Sequence, residues 1–150
     1  MSTTNIFKQF NGSIANLVNT SAVSAMLAIV ARVMASTIFI VAGYGKLGVG
    51  YAGTQGYMAS VGVPGELLPL VITLELGGGL ALLLGFQTRL AAFLLAGFCI
   101  TSAFIFHSGA DQMQQIMFMK NLAMSGGLLA FTMFGAGHLS LDGETQDQTS

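Results

Sequence analysis

Residues Leu67 to Phe86 read LLPLVITLELGGGLALLLGF, an apolar stretch with one carboxylic acid, Glu75, near its middle. At about 1.5 Å per helical residue, such a stretch is long enough to cross a hydrocarbon core of about 30 Å. The rest of the chain suits the same solvent. It has 150 residues, of which 53% are hydrophobic and 7% charged, and it contains no tryptophan. A chain so poor in charge cannot cover itself as a soluble domain does, and it belongs in a membrane. The formal net charge of -1 comes with only five Lys and Arg. These are scattered, so no basic footprint for nucleic acid exists.

Working outward from this stretch, apolar runs at about residues 30–50, 64–85, 88–107 and 113–136 each have the length of a span. Their polar spots recur at helical spacing, and the two-residue alternation of barrel strands is missing. The fold class is therefore all-α, a four-transmembrane-helix bundle with an N-terminal amphipathic surface helix. The expected organisation is an amphipathic segment over 1–25, one membrane domain over 26–140 and a disordered polar tail over 141–150.

Local signals support these divisions. Ile6, Phe10, Ile14 and Leu17 share one helical face behind polar residues, which suits a helix lying on the membrane. The run Ala22 to Ala31 is followed by Arg32 and more apolar residues without a convincing cleavage site, so no processing is expected. GFQTR (Gly85 to Arg89) makes a tight turn with Thr88 as the expected N-cap of the third span, and Asp111 is the expected cap of the fourth. The loop after the first span contains a candidate short helix from Thr54 to Val61 that could roof one end of the bundle. Pro64 opens the second span, where proline is tolerated.

Several chemistries are disfavoured. GYGKLG (Gly43 to Gly48) fits G-x-G-x-x-G but ends a membrane helix and has no βαβ unit around it. Lys46 is followed by Leu47, which removes a phosphate loop. The single Cys99 offers neither a dithiol nor a cluster ligand set. His107 and His138 follow successive spans and so fall on opposite membrane faces, and no metal site is expected.

The intramembrane charges are the informative feature. Eleven residues past Pro64, Glu75 lies about 16 Å along the helix, near the bilayer midplane. A charge there must face the bundle interior and have a partner or a proton. Lys46, His107 and Lys120 belong to the same half of the membrane and can converge on it. Arg32, Ser36, Phe39, Gly43 and Lys46 follow one stripe of the first span, and Arg89 and His107 share a face of the third. Small residues accompany the charges: Gly78 and Gly79 by Glu75, Ala42 and Gly43 by Lys46, Ala123 and Gly127 by Lys120.

Bland readings stand beside the functional ones. Glu75 with Lys46 or Lys120 can be an ion pair that fixes helix register. Arg32 and Arg89 can snorkel to lipid phosphates, and His107 can cap a helix or handle protons. Cys99 and the methionines read as packing residues. The functional reading rests on two lysines and a histidine facing one glutamate, which leaves room for an anion or a quinone oxygen.

Taken in order, ARVMASTIFIVAGYGKLG, YMASVGVP, LELGGGLALLLGFQTRLAA, FIFH, FMKNLAMSGGLLAF and GAGHLSLD resemble the DoxX family of small four-helix bacterial membrane proteins. The resemblance runs from about Arg32 to Asp142 and leaves the N-terminal extension outside it. It implies an inner-membrane location and a link to respiratory or redox chemistry. The family takes its name from, and is similar to, a subunit of an archaeal thiosulfate:quinone oxidoreductase. Arg32, Lys46, Glu75, Arg89, His107, Lys120 and Asn121 fall at the family's typical polar positions.

Two functional classes follow. In one, the chain binds a quinone-like or small anionic ligand between its helices. Lys46 and Lys120 would be oxygen-binding donors, with Asn121, Arg32 and Arg89 completing the ligand-binding set, and Glu75 or His107 would exchange protons in the catalytic role. Membrane lipids and a membrane or soluble redox protein are the expected partners. In the other, it is a non-catalytic assembly factor or small-solute transporter whose charges are structural ties. Lys8, Arg32 and Arg89 lie toward one face, against Lys46 and Lys120 toward the other, so the positive-inside tendency favours cytoplasmic termini.

Overall fold

The computed structural model of the chain describes residues 3–143, and every regular element among them is helical. Six α-helices follow in order: α1 (Thr3–Val18), α2 (Ser21–Gly45), α3 (Val49–Ser60), α4 (Leu68–Leu84), α5 (Thr88–Phe106) and α6 (Gln112–Phe134). A single 3-10 turn, Gly65–Leu67, leads into α4. Four segments are long and apolar enough to cross a membrane: Ser21–Gly45, Gly65–Leu84, Thr88–Phe106 and Gln112–Phe134. The all-α four-helix reading therefore stands.

The first span departs from expectation at its start. It begins at Ser21, so the run from Ala22 to Ala31 is part of the same continuous helix as Arg32. Arginine is a good helix former and does not interrupt such a run. A uniformly apolar stretch also has no periodic edge from which a start can be read. Before it, α1 exposes Ile6, Phe10, Ile14 and Leu17, the residues assigned to its apolar face.

Helix α2 packs along α4, α5 packs along α6, and a smaller α4–α5 contact joins the two pairs. The α2–α4 approach depends on missing side chains. A Cβ on Gly43 would lie 2.8 Å from Leu76 Cγ, and one on Gly79 would lie 3.0 Å from Ile40 Cγ1. Gly127 has open space around its Cβ position, so the small residues near Lys120 do not mediate the same kind of contact. The core joins Phe39, Leu82, Ala92, Leu95, Ala96, Cys99 and Leu128. Outside it, large apolar side chains such as Met34, Val41, Phe93 and Met119 are exposed, as helices surrounded by lipid require.

The loop after α2 closes one end. Its helix starts earlier than the expected Thr54 and runs over Val49–Ser60. Met58 is buried with Leu68 and Ile72, and Tyr51, Val63 and Phe106 pack around them. Pro64 precedes the 3-10 turn and Pro69 occupies the first turn of α4, where no intrahelical N–H is lost.

At the other end, Gly85 in the left-handed region (φ 68°) turns the chain from α4 toward α5. The N-cap of α5 is Gln87 instead of Thr88, which is fully buried as the first helical residue. The tail was expected to begin at 141. Instead Leu141 N–H donates to the Leu84 carbonyl and Asp142 N–H to the Gly85 carbonyl. The rest of the expected tail, 144–150, lies outside the described residues.

A charged cavity at the roofed end of the bundle

One stripe of α2 turns inward: Arg32, Ser36, Phe39 and Gly43 are all buried. Lys46 stands one residue past the helix on the same stripe. Because Gly43 lets α4 approach, the Lys46 stem reaches back to Glu75, which is 4% exposed. Its ammonium donates to Glu75 Oε1 at 2.9 Å, lies 2.7 Å from Oε2 and donates to the Ala42 carbonyl at 3.2 Å. This last bond also places a cation at the carbonyl end of α2, where the helix dipole favours it. Among the described residues, Lys46 is the salt-bridge partner of Glu75.

The pair forms part of the wall of a cavity of about 440 Å³. Lys46, Glu75, His107, Lys120 and Asn121 all line it, and Thr54, Tyr57 and Met58 of α3 roof it. The rest of the wall is mostly apolar, from residues such as Phe39, Val71, Phe98 and Met124. Lys120 does not reach Glu75. Its ammonium donates to Met117 Sδ at 3.2 Å, and the residue is exposed on α6. Asn121 is buried one position later and donates to the Met117 carbonyl at 3.1 Å. Ser125, one turn on, donates to the carbonyls of Asn121 and Ala96 at 2.9 and 3.2 Å, which ties α6 to α5.

His107 ends α5, and its Nδ1 lies 2.8 Å from Gln114 Oε1. Gln114 is itself placed by the cap of α6, since its N–H donates to Asp111 Oδ1 at 3.1 Å. Sequence reading found Asp111 and His107 but not the residue linking them. The available signal was spacing: Gln114 is three residues past the cap, the capping-box position whose side chain reaches back. Tyr57 was also missed, and its ring packs on Phe106 with centroids 5.6 Å apart.

The two arginines stand at the opposite end. Arg32 is 4% exposed, and its Nη2 donates to the Leu139 carbonyl. It therefore faces the C-terminal segment of the protein, not lipid phosphate. Its Nε and Nη1 are buried without a hydrogen-bond partner among the described residues. Arg89 donates to the Thr132 and Met133 carbonyls at the end of α6. Asp142, unassigned from sequence, accepts from Gln87 N–H at 2.7 Å and Thr88 N–H at 2.9 Å. Burial pushes its carboxyl upward, but the hydrogen bonds of Thr88 and Gln87 and the nearby Arg32 charge together hold it below the usual carboxylate value. His138 belongs to this same end, across the bundle from His107.

Comparison with known proteins agrees with this architecture. The DoxX family model matches residues 7–108. The chain is 54% identical over 115 residues to the inner membrane protein YqjF of Escherichia coli K12, covering 76% of this chain and 88% of that protein. It is 34% identical over 125 residues to the inner membrane protein YphA of the same strain, covering 78% of this chain and 89% of that protein. No solved structure matches the chain. The family match takes in much of the N-terminal extension, which the motif resemblance had left outside.

Proposed function

The chain belongs to the DoxX family and is a multi-pass protein of the inner membrane, and we propose that it binds a quinone-like or anionic amphiphile in the roofed cavity, in association with redox or respiratory chemistry. One observation carries the reading. Lys46, Glu75, His107, Lys120 and Asn121 come from all four membrane-spanning segments or their ends, yet line one mostly apolar chamber. Small-molecule sites have this character, with apolar walls and a few convergent polar groups in about 300–1,000 Å³.

In this reading Lys120 and Asn121 face the ligand's oxygen atoms, and Glu75 or His107 exchanges protons with it. Lys46 holds Glu75 in place. The link to redox chemistry makes the chain a small subunit serving a membrane or soluble redox partner, with no reaction assigned to it alone. The orientation proposed is cytoplasmic for both termini, with α1 on the membrane surface. Terminal reporter fusions that place the C-terminus in the periplasm would reverse it.

The test is to purify the full chain in a mild uncharged detergent, identify co-extracted quinones and amphiphiles by mass spectrometry, and measure binding of decylubiquinone and dodecanoate. Saturable binding of either probe, weakened by His107→Ala or Lys120→Met, is expected. Absence of saturable binding for both probes overturns the ligand-site reading. The direct Lys46–Glu75 contact supports a second reading, in which the charges only tie helices together in an assembly factor. That reading expects the same substitutions to alter stability, with no ligand to lose.

A further inference from the structure

The cations of the cavity are not equivalent. A lysine ammonium has three donors, and Lys46 has three oxygens within 3.2 Å: both carboxylate oxygens of Glu75 and the Ala42 carbonyl. Its charge is answered by Glu75, and it donates to Glu75 Oε1 and the Ala42 carbonyl, while Oε2 is a close ionic contact without a hydrogen bond. Lys120 differs on both counts. Its recorded contact is a thioether sulfur, a weak acceptor, and among the described residues no carboxylate lies within salt-bridge distance of it.

The shape of the cavity limits what can answer that charge. Ile38 of α2, Leu70 of α4 and Ile105 of α5 line it and are also exposed. In a membrane bundle their exposed faces meet lipid, so apolar side chains stand between the cavity and the bilayer. A volume of about 440 Å³ lies toward the lower part of the small-molecule range.

From these observations, and resting on the ligand-site reading above, we propose that the cavity takes a single-chain amphiphile bearing one negative charge. Its head group is held by the Lys120 ammonium beside His107 and Asn121, and its chain lies against the apolar wall. Lys120 is thus the residue that selects for charge, and the Lys46–Glu75 pair is scaffold.

The experiment compares dodecanoate, its uncharged methyl ester and decylubiquinone as probes of the full-length protein in uncharged detergent at about pH 8, where a free carboxylate is ionised. Dodecanoate should bind at least tenfold more tightly than the ester. Lys120→Met should remove that preference, weakening dodecanoate about tenfold and leaving the ester unchanged, and Lys120→Arg should retain it. Lys120 is exposed, so Lys120→Met is expected to fold. A circular dichroism melt confirms this, and Lys120→Gln is the substitute if it does not.

Equal affinity for acid and ester, or dodecanoate binding unaffected by Lys120→Met, overturns the proposal. Retention of phosphatidylglycerol in preference to dodecanoate overturns the single-chain assignment. Binding of decylubiquinone alone overturns the anionic ligand but leaves the ligand site standing. If none of the three probes binds saturably, the ligand site itself falls.

Discussion

Where α4 turns into α5, Asp142 and one nitrogen of Arg32 bond the chain's own backbone, whereas at the roofed end Lys46, Glu75 and Lys120 stand around a cavity. Both ends bring charge into an apolar bundle. At the first, Leu139 accepts from Arg32, while Gln87 and Thr88 donate to Asp142, so the C-terminal segment closes over the helix turn. At the second, one lysine is fully paired and the other faces the cavity wall without a counter-ion. The contrast separates two uses of charge: joining chain segments, and presenting a group to something outside the chain.

The largest expected effect lies in the paired lysine. Removing one member of a buried ion pair leaves an uncompensated charge and costs about 3–5 kcal/mol. Lys46→Met should fall near the lower end, about 3 kcal/mol, because the pair is only partly enclosed, Lys46 keeping 22% side-chain exposure. Glu75→Gln should cost less, since a freed lysine can extend toward the interface. The double substitution should be milder than Lys46→Met alone, a coupling that thermal melts and SDS titrations of all three variants can measure. Strict additivity would break the comparison by showing that the pair is not a tie.

At the opposite end the next effect is steric. Gly85 has φ 68°, and a Cβ there would meet Arg32 Nη1 at 2.1 Å and Ser140 Cβ at 2.4 Å. Gly85→Ala therefore combines left-handed strain with displacement of the C-terminal segment, and a loss of about 2 kcal/mol is expected. The same melts check it. Limited proteolysis should cut after residue 135 sooner in this variant than in the parent.

A smaller effect belongs to Asp142, whose two backbone hydrogen bonds do the work of a helix cap. Asp142→Asn should cost about 1 kcal/mol at neutral pH. Its folded-state carboxyl lies below the ordinary carboxylate value. Its stabilisation is therefore full above the unfolded value of about 4 and is lost as pH falls through the lower folded value. The melting difference between parent and Asp142→Asn should shrink as the pH is lowered from about 6 to about 3. A difference that stays constant or grows on acidification would detach Asp142 from the closure.

These two ends were unequally legible in the sequence. Span length follows from composition and helical rise, and the inward stripe of α2 follows from spacing, so the bundle and the need of Glu75 for a cationic partner could be read directly. Which lysine meets Glu75 could not. Lys46 and Lys120 share the same half of the bundle, and only the Gly43 contact that brings α2 against α4 decides between them. Gly127 looks equivalent in sequence but faces open space. Asp142 was invisible because Gln87 and Thr88 lie 55 and 54 residues away from it, and no local pattern carries such a pairing. Gln114 was nearly visible, since its capping-box position was on the page and only its direction, toward His107, was missing.

The smallest expected change in stability is at Lys120, and it sharpens the comparison most. An exposed ammonium touching a thioether contributes little to folding, because the contact is weak and the group is not enclosed by the protein. Methionine matches the length and apolar character of that stem, so Lys120→Met should leave the melting transition within about 0.5 kcal/mol of the parent. Lys46→Met removes the same charge from the same cavity and should lie several-fold further away. Measured side by side in one detergent, the two variants share every condition except which ammonium is lost. A loss at Lys120 as large as that at Lys46 would mean that both lysines are ties, and the roofed end would then use its charges as the opposite end does.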